Sequence, residues 1–195
     1  RGVFLITVTP FTDDGALDLE STDRMVDFAL DCGVTGLTVL GIMGEATKLT
    51  ADESRVFVKT VLARVAGRVP VVVGASAPGF APMRELTESV MAQGAAGVMV
   101  APPHPLRSDD QIIAYFEMVQ TTLGDSVPWV LQDHPVATGV QMSTQVILRI
   151  IKALRRAGEL GQLRAGVDID AAAAIVHMIM LGSIHGYLLA PDSMD

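Results

Sequence analysis

Residues 69–74, Val-Pro-Val-Val-Val-Gly, are apolar at nearly every position. A strand with one wet face alternates apolar and polar side chains, so a run like this one is buried on both faces. That requirement selects a parallel sheet covered by helices. Similar runs occur at residues 3–8, 36–40, 96–100 and 127–131. Longer amphipathic stretches separate them, at 19–32, 50–66, 81–93 and 109–123, and Ser143 caps a further helix to about residue 154. Five βα units in succession predict a (β/α) barrel or an open doubly wound sheet.

The alternation then stops. Residues 155–169 form a polar, glycine-rich connector, and residues 170–190 are almost wholly apolar. Closing an eight-stranded barrel takes three more βα units than the pattern supplies. The fold expected is therefore α/β: an incomplete (β/α)8, TIM-type barrel of about five βα units over residues 1–154, then the connector, then a carboxyl-terminal helical tail at 170–190. At roughly 1.5 Å per residue that tail could just span a bilayer core of ~30 Å. It contains His177, Ser183 and His185, however, and its flanks carry Asp168, Asp170, Asp192 and Asp195 in place of Lys or Arg. A packing or dimerisation helix is expected, with no membrane span, the two histidines buried and Gly182 and Gly186 permitting close helix approach.

Composition narrows the function. Half of the residues are hydrophobic and 18 % are charged, enough apolar material for a substantial core. The net charge of −8, without any Lys/Arg cluster, argues against a nucleic-acid partner. The single cysteine, Cys32, cannot form an internal disulfide, which fits a cytoplasmic protein. It is read as a buried structural thiol at a helix end. The chain opens in a strand-like run without an initiator Met, so a trimmed front is expected.

The segment from Val39 to Thr50 is where chemistry is expected. A strand runs into Gly41-Ile42-Met43-Gly44-Glu45, and a helix opens at Thr50 with Glu53 three residues on, the spacing of a capping box. Two glycines let such a turn hold its amides outward as a small anion-binding concavity, at the strand end where ligands bind in parallel α/β proteins. Glu45 is expected to accept backbone hydrogen bonds there. His104, Asp133 and His134 also follow strands and would share the same mouth. None of these four has metal-ligand spacing to another, so no metal or other cofactor is expected. His104, between Pro103 and Pro105, reads as an exposed loop residue or an acid/base. Trp129 reads as core.

Several stretches in order carry a family resemblance: Thr7-Val8-Thr9-Pro10-Phe11 with Asp14-Gly15, Gly41-x-x-Gly44-Glu45 with Leu49-Thr50, Val69-Pro70-Val71-Val72-Val73-Gly74, Ala101-Pro102-Pro103, and His134-Pro135-x-x-Thr138-Gly139. Residues 2–154 resemble the amino-terminal half of the dihydrodipicolinate synthase / N-acetylneuraminate lyase family. The resemblance implies a (β/α)8 barrel and class I aldolase chemistry, in which a lysine forms a Schiff base with a 2-oxo acid such as pyruvate. It also implies a small-molecule partner and a homo-oligomer.

The residues carry over unevenly. Where the family has two threonines between the motif glycines, this chain has Ile42 and Met43, so only the amides around Gly44 and Glu45 are left to hold a carboxylate. The family's relay tyrosines align with Gln132 and fall near His104, and its arginine before the Thr-Gly pair becomes Ala137. Candidate catalytic residues are thus Gln132 and His104, and candidate substrate-binding residues are Gly41, Ile42, Met43, Gly44, Glu45, Thr138 and Gly139. The Schiff-base lysine would lie on strand six. The three lysines here are Lys48, Lys59 and Lys152, and none falls on a predicted strand. No imine chemistry is expected of the chain as it stands. Residues 157–190 resemble the carboxyl-terminal end of Tet-repressor-type regulators, a helix of an effector-binding and dimerisation domain. That leaves a non-catalytic ligand-binding or dimerisation module as the alternative function.

Overall fold

The computed structural model describes residues 2–77 and 79–159. Five strands, β1 (Phe4–Ile6), β2 (Gly36–Val39), β3 (Val71–Gly74), β4 (Gly97–Val100) and β5 (Trp129–Leu131), form one sheet. Its order is β1-β2-β3-β4-β5, and every neighbouring pair is parallel. Because βα crossovers are right-handed, strands added always on the same side place every helix on one face. A doubly wound sheet would reverse direction. This one does not, and the architecture is the opening five-strand arc of a (β/α)8 barrel.

The helices α1 (Leu19–Asp31), α2 (Ala51–Val65), α3 (Phe80–Ala92), α4 (Asp109–Leu123) and α6 (Thr144–Glu159) follow the strands in turn, and a short α5 (Pro135–Thr138) interrupts the last connection. Their starts are chemically marked. Asp18 caps α1, while Thr50 with Glu53 and Ser108 with Gln111 form capping boxes on α2 and α4. Such a cap stabilises its helix by about 1 kcal/mol. Neighbouring helices are laced by Arg64–Asp27 between α1 and α2 and by Arg55–Glu85 between α2 and α3. α6 runs past residue 154, where it was expected to end.

The register explains the burial. Leu37 pairs with Val71, Val39 with Val73, and Val73 with Val98, and all of these side chains are buried towards the helices. They meet Phe57, Val58, Val61 and Val65 of α2 and Ile112, Phe116 and Val119 of α4, each worth about 1.5–3 kcal/mol when fully buried. The alternate positions, Ile6, Thr38, Val72 and Met99, line the concave face that would be the barrel interior.

One sequence expectation needs correction. Cys32 is exposed, not buried: it is the C-cap residue of α1, on the last turn, past the stripe formed by Thr22, Val26 and Ala29. Trp129 packs against the core, part-buried, stacked on Phe116 at 5.9 Å with its indole N–H donating to Gln120 Oε1. The connector beyond Glu159, the apolar stretch at 170–190, His177 and His185 lie outside the described residues. Among the described residues, no helix is long and apolar enough to cross a membrane.

Candidate functional site

All five strands point the same way, so their following loops converge at one end. The β2–α2 loop is the most constrained of them. Leu40 and Glu45 hold φ of 53° and 52°, a left-handed conformation that costs a non-glycine residue roughly 1–2 kcal/mol. Between them, Gly41 and Gly44 are buried while Ile42 and Met43 stand exposed. A Cβ on Gly41 would lie 3.3 Å from Met99 Cε and 3.5 Å from Ile6 Cγ2, so this turn sits directly over the concave face. Thr9, from the β1 loop, donates its hydroxyl to the Gly44 carbonyl at 2.6 Å and fixes the turn from the side. Thr7 does the same for the strand beneath, its amide donating to the Thr38 carbonyl at 2.9 Å.

Glu45 N–H donates to the Ile42 carbonyl and closes the turn. No acceptor among the described residues takes the amides of Gly41, Ile42, Met43 or Gly44. Four consecutive N–H groups without a partner among the described residues, in a loop held in a strained conformation, are candidate donors to an anion. The Glu45 side chain does not accept from the turn, as its sequence had suggested. Its left-handed backbone turns it outward, and its carboxylate pairs with Lys48 Nζ at 2.6 Å in solvent.

The other loops bring polar groups to the same end. Ser76, after β3, accepts from the Ala101 amide at 2.8 Å and ties the β3 loop to β4. His104, after β4, is exposed. Gln132 follows β5, and its amide donates to the Val100 carbonyl at 2.9 Å. The carboxyl of Asp133, half-buried, is held above the usual carboxylate range by burial and is partly offset by His134. His134 caps α5 through Nδ1, which accepts from the Ala137 amide at 3.2 Å. The hydroxyl of Thr138 is spent locally, donating to the His134 carbonyl and accepting from the Val140 amide.

The two ends of the β5 loop are not equivalent. Gly139, left-handed at φ 66°, lies against the His104 ring: a Cβ there would be 3.1 Å from Cδ2 and 3.2 Å from Nε2. The structure therefore brings His104 together with Gly139, two candidates from different loops. Sequence reasoning missed Thr7 and Thr9 as builders of the site, although both lay in a motif it had singled out. It also missed α5, whose signal was the His134-Pro135 start. Among the described residues, no three His, Cys, Asp or Glu side chains are grouped to hold a metal ion.

Comparison with known proteins places the chain in a family. The profile of the Dihydrodipicolinate synthetase family matches residues 1–165. Among curated proteins, the chain is 35 % identical over 162 residues to L-2-keto-3-deoxyarabonate dehydratase of Azospirillum brasilense, covering 80 % of this chain and 51 % of that protein. It is 28 % identical over 183 residues to 4-hydroxy-tetrahydrodipicolinate synthase of Thiobacillus denitrificans, covering 93 % and 60 % respectively. The chain spans about half the length of the curated relatives it matches. Among solved structures, a dihydrodipicolinate synthase from Rhodopseudomonas palustris superposes with a TM-score of 0.72 at 38 % identity, covering 93 % of this chain and 75 % of that one. A prophage protein of the same family from E. coli K12, solved in complex with pyruvate, superposes with a TM-score of 0.69 at 29 % identity over 77 % of this chain and 51 % of that one.

Proposed function

This chain belongs to the dihydrodipicolinate synthetase family, and from that premise we propose that it binds a 2-oxo acid of the pyruvate type by its carboxylate in the β2–α2 loop. The observation that carries the reading is the run of amides from Gly41 to Gly44 that find no partner among the described residues, set over the concave face between left-handed Leu40 and Glu45. Backbone donors suffice for a carboxylate, so the absence of hydroxyls at Ile42 and Met43 does not remove the anion site. It does remove a proton carrier, and His104 and Gln132 are the groups at this mouth suited to handling protons or the substrate carbonyl. Thr138 and Gly139 would support the β5 side of the ligand. Several copies assembling together is part of the same reading.

The relatives are a dehydratase and a synthase, and lyase or aldolase chemistry on a 2-oxo acid is the reaction class that this reading assigns to the complete site. The chain as it stands does not form an imine. A Schiff-base lysine must be desolvated or placed beside another cation to be neutral and nucleophilic. Lys48, Lys59 and Lys152 are exposed, on a loop turn and on helices, and Lys48 is already paired with Glu45. This observation favours a second reading: a module that binds the 2-oxo acid, or pairs with another chain, without turning it over.

One experiment separates these readings. Saturating pyruvate should raise the thermal midpoint, since a ligand at 100 times its Kd stabilises the folded state by about 2.7 kcal/mol. Borohydride added to the same mixture should leave the protein mass unchanged. Thermal stabilisation together with a covalent adduct on Lys48, Lys59 or Lys152 would establish imine chemistry and overturn the non-covalent reading. No stabilisation by any 2-oxo acid would overturn the anion site.

A further inference from the structure

His134 stands between the end of β5 and the start of α5, and the short helix hangs on it. Its Nδ1 accepts from the Ala137 amide at 3.2 Å. Its carbonyl accepts from the amides of Ala137 and Thr138, each at 3.0 Å, and from the Thr138 hydroxyl at 3.1 Å. Pro135 fills the first helical position, where its missing N–H is no loss and its fixed φ suits the turn. A helix of one turn has no stability of its own, because the first hydrogen bond must fix several residues at once. The contacts of His134 are therefore a large part of what defines α5.

A ring nitrogen that accepts a hydrogen bond carries no proton, so neutral His134 in this arrangement bears its hydrogen on Nε2. One turn later α5 ends at Gly139, left-handed and without a Cβ; a Cβ placed there would lie 3.1 Å from His104 Cδ2 and 3.2 Å from Nε2, so the bare glycine leaves room for the ring. The β4 loop and the β5 loop thus meet at the far end of α5: the His134 imidazole caps the helix at the Ala137 amide, the Gly139 amide closes it on the Pro135 carbonyl, and the His104 ring lies beside Gly139.

We propose that His134 is a positioning residue: by capping Ala137 through Nδ1 it fixes α5, and through Gly139 it sets where the His104 imidazole stands at the mouth of the barrel. The inference rests on the reading of His104 as a group of the 2-oxo acid site, and His134 itself need not touch the ligand.

Nuclear magnetic resonance on the full-length 15N-labelled chain tests this. At neutral pH, the long-range imidazole correlations of His134 should show the Nε2–H tautomer. A nuclear Overhauser contact should join His104 Hδ2 to the Gly139 α protons. That contact is expected to vanish in His134→Ala and to return in His134→Asn, whose side-chain oxygen can cap the same amide. Circular dichroism should be unchanged in both. A His134 protonated on Nδ1, or a His104–Gly139 contact that survives in His134→Ala, would overturn the proposal. Should the alanine variant fail to fold, the tautomer in the wild-type protein decides. Pyruvate added to the wild-type protein tests the underlying reading separately. If His104 resonances do not move while the contact follows the His134 series, positioning stands and the assignment of His104 to the site fails.

Discussion

Leu40 and Gly74 approach so closely that a Cβ on Gly74 would overlap the carbonyl oxygen of Leu40. The contact lies where β2 and β3 end, and it lets the strained β2–α2 turn settle over the sheet. Leu40 is buried in the core while its backbone is left-handed, so burial of its side chain holds a conformation the backbone alone disfavours. Any side chain at position 74 would push against a backbone atom, which cannot rotate away as a flexible side chain can. Gly74→Ala is expected to lower stability by about 1–3 kcal/mol, the range for an overpacked core. The midpoint of urea unfolding measures it, and an unchanged midpoint would show that the turn shifts freely.

The proposed anion site is made of backbone, and two variants of one loop should respond in opposite ways. A Cβ on Gly44 would be 3.1 Å from Leu40 N and 3.3 Å from Gly41 N, so Gly44→Val presses on the amides of the site. It should lose pyruvate-induced thermal stabilisation while its far-ultraviolet circular dichroism stays close to the parent. Glu45→Gly relieves a left-handed non-glycine residue, worth roughly 1 kcal/mol per residue, and gives up only an exposed ion pair, worth about 0–1 kcal/mol. It should fold as stably as the parent, within about 1 kcal/mol, and keep binding pyruvate. Loss of binding in Glu45→Gly would make the side chain, not the backbone, the ligand group.

Asp133 gives a pH signature. Burial raises its carboxyl above the ordinary value in the folded chain, so the folded state penalises the charged form. Stability from this residue is therefore complete below the unfolded value of about 3.9 and is lost as pH rises through the folded one. Asp133→Asn removes the charge, so it should raise the unfolding midpoint at pH 7. The gain should disappear in acid, below the unfolded value. A gain that persists in acid would assign the effect to packing.

The βα alternation was legible because buried parallel strands are apolar at every position, and the α2 start was legible because Thr50 and Glu53 spell out their own hydrogen bonds. The first strand was read as residues 3–8 but ladders only over Phe4–Ile6. Among the described residues it has a partner on one side alone, and apolar sequence does not reveal an open edge. The left-handed backbone at Leu40 and Glu45 was invisible because such positions usually announce themselves with glycine or asparagine. Here burial of Leu40 and the Thr9–Gly44 hydrogen bond, a contact across 35 positions, hold them in place. Cys32 was misplaced for a related reason: helix periodicity predicts which stripe is inward but fades at the last turn.

Among the described residues the sheet has two open edges, since β1 pairs only with β2 and β5 only with β4. Phe4, Leu5 and Ile6 on one and Val130 on the other are each more than a third exposed, with Val3, Val8 and Phe11 beside the first. Exposed apolar edge strands are templates for association with other chains, and apolar surface beyond a few hundred Å2 is unusual on a soluble monomer. The sequence at 170–190 is rich in side chains that could cover such a surface: Ile175, Met178, Ile179, Leu181 and Leu188 would contribute roughly 1.5–3 kcal/mol each when fully buried. Removing residues 168–195 is therefore expected to give aggregated protein or a changed oligomeric state, measured by size-exclusion chromatography with light scattering. A truncated chain that remains dispersed, folded and of the same oligomeric order would show that those residues cover neither edge.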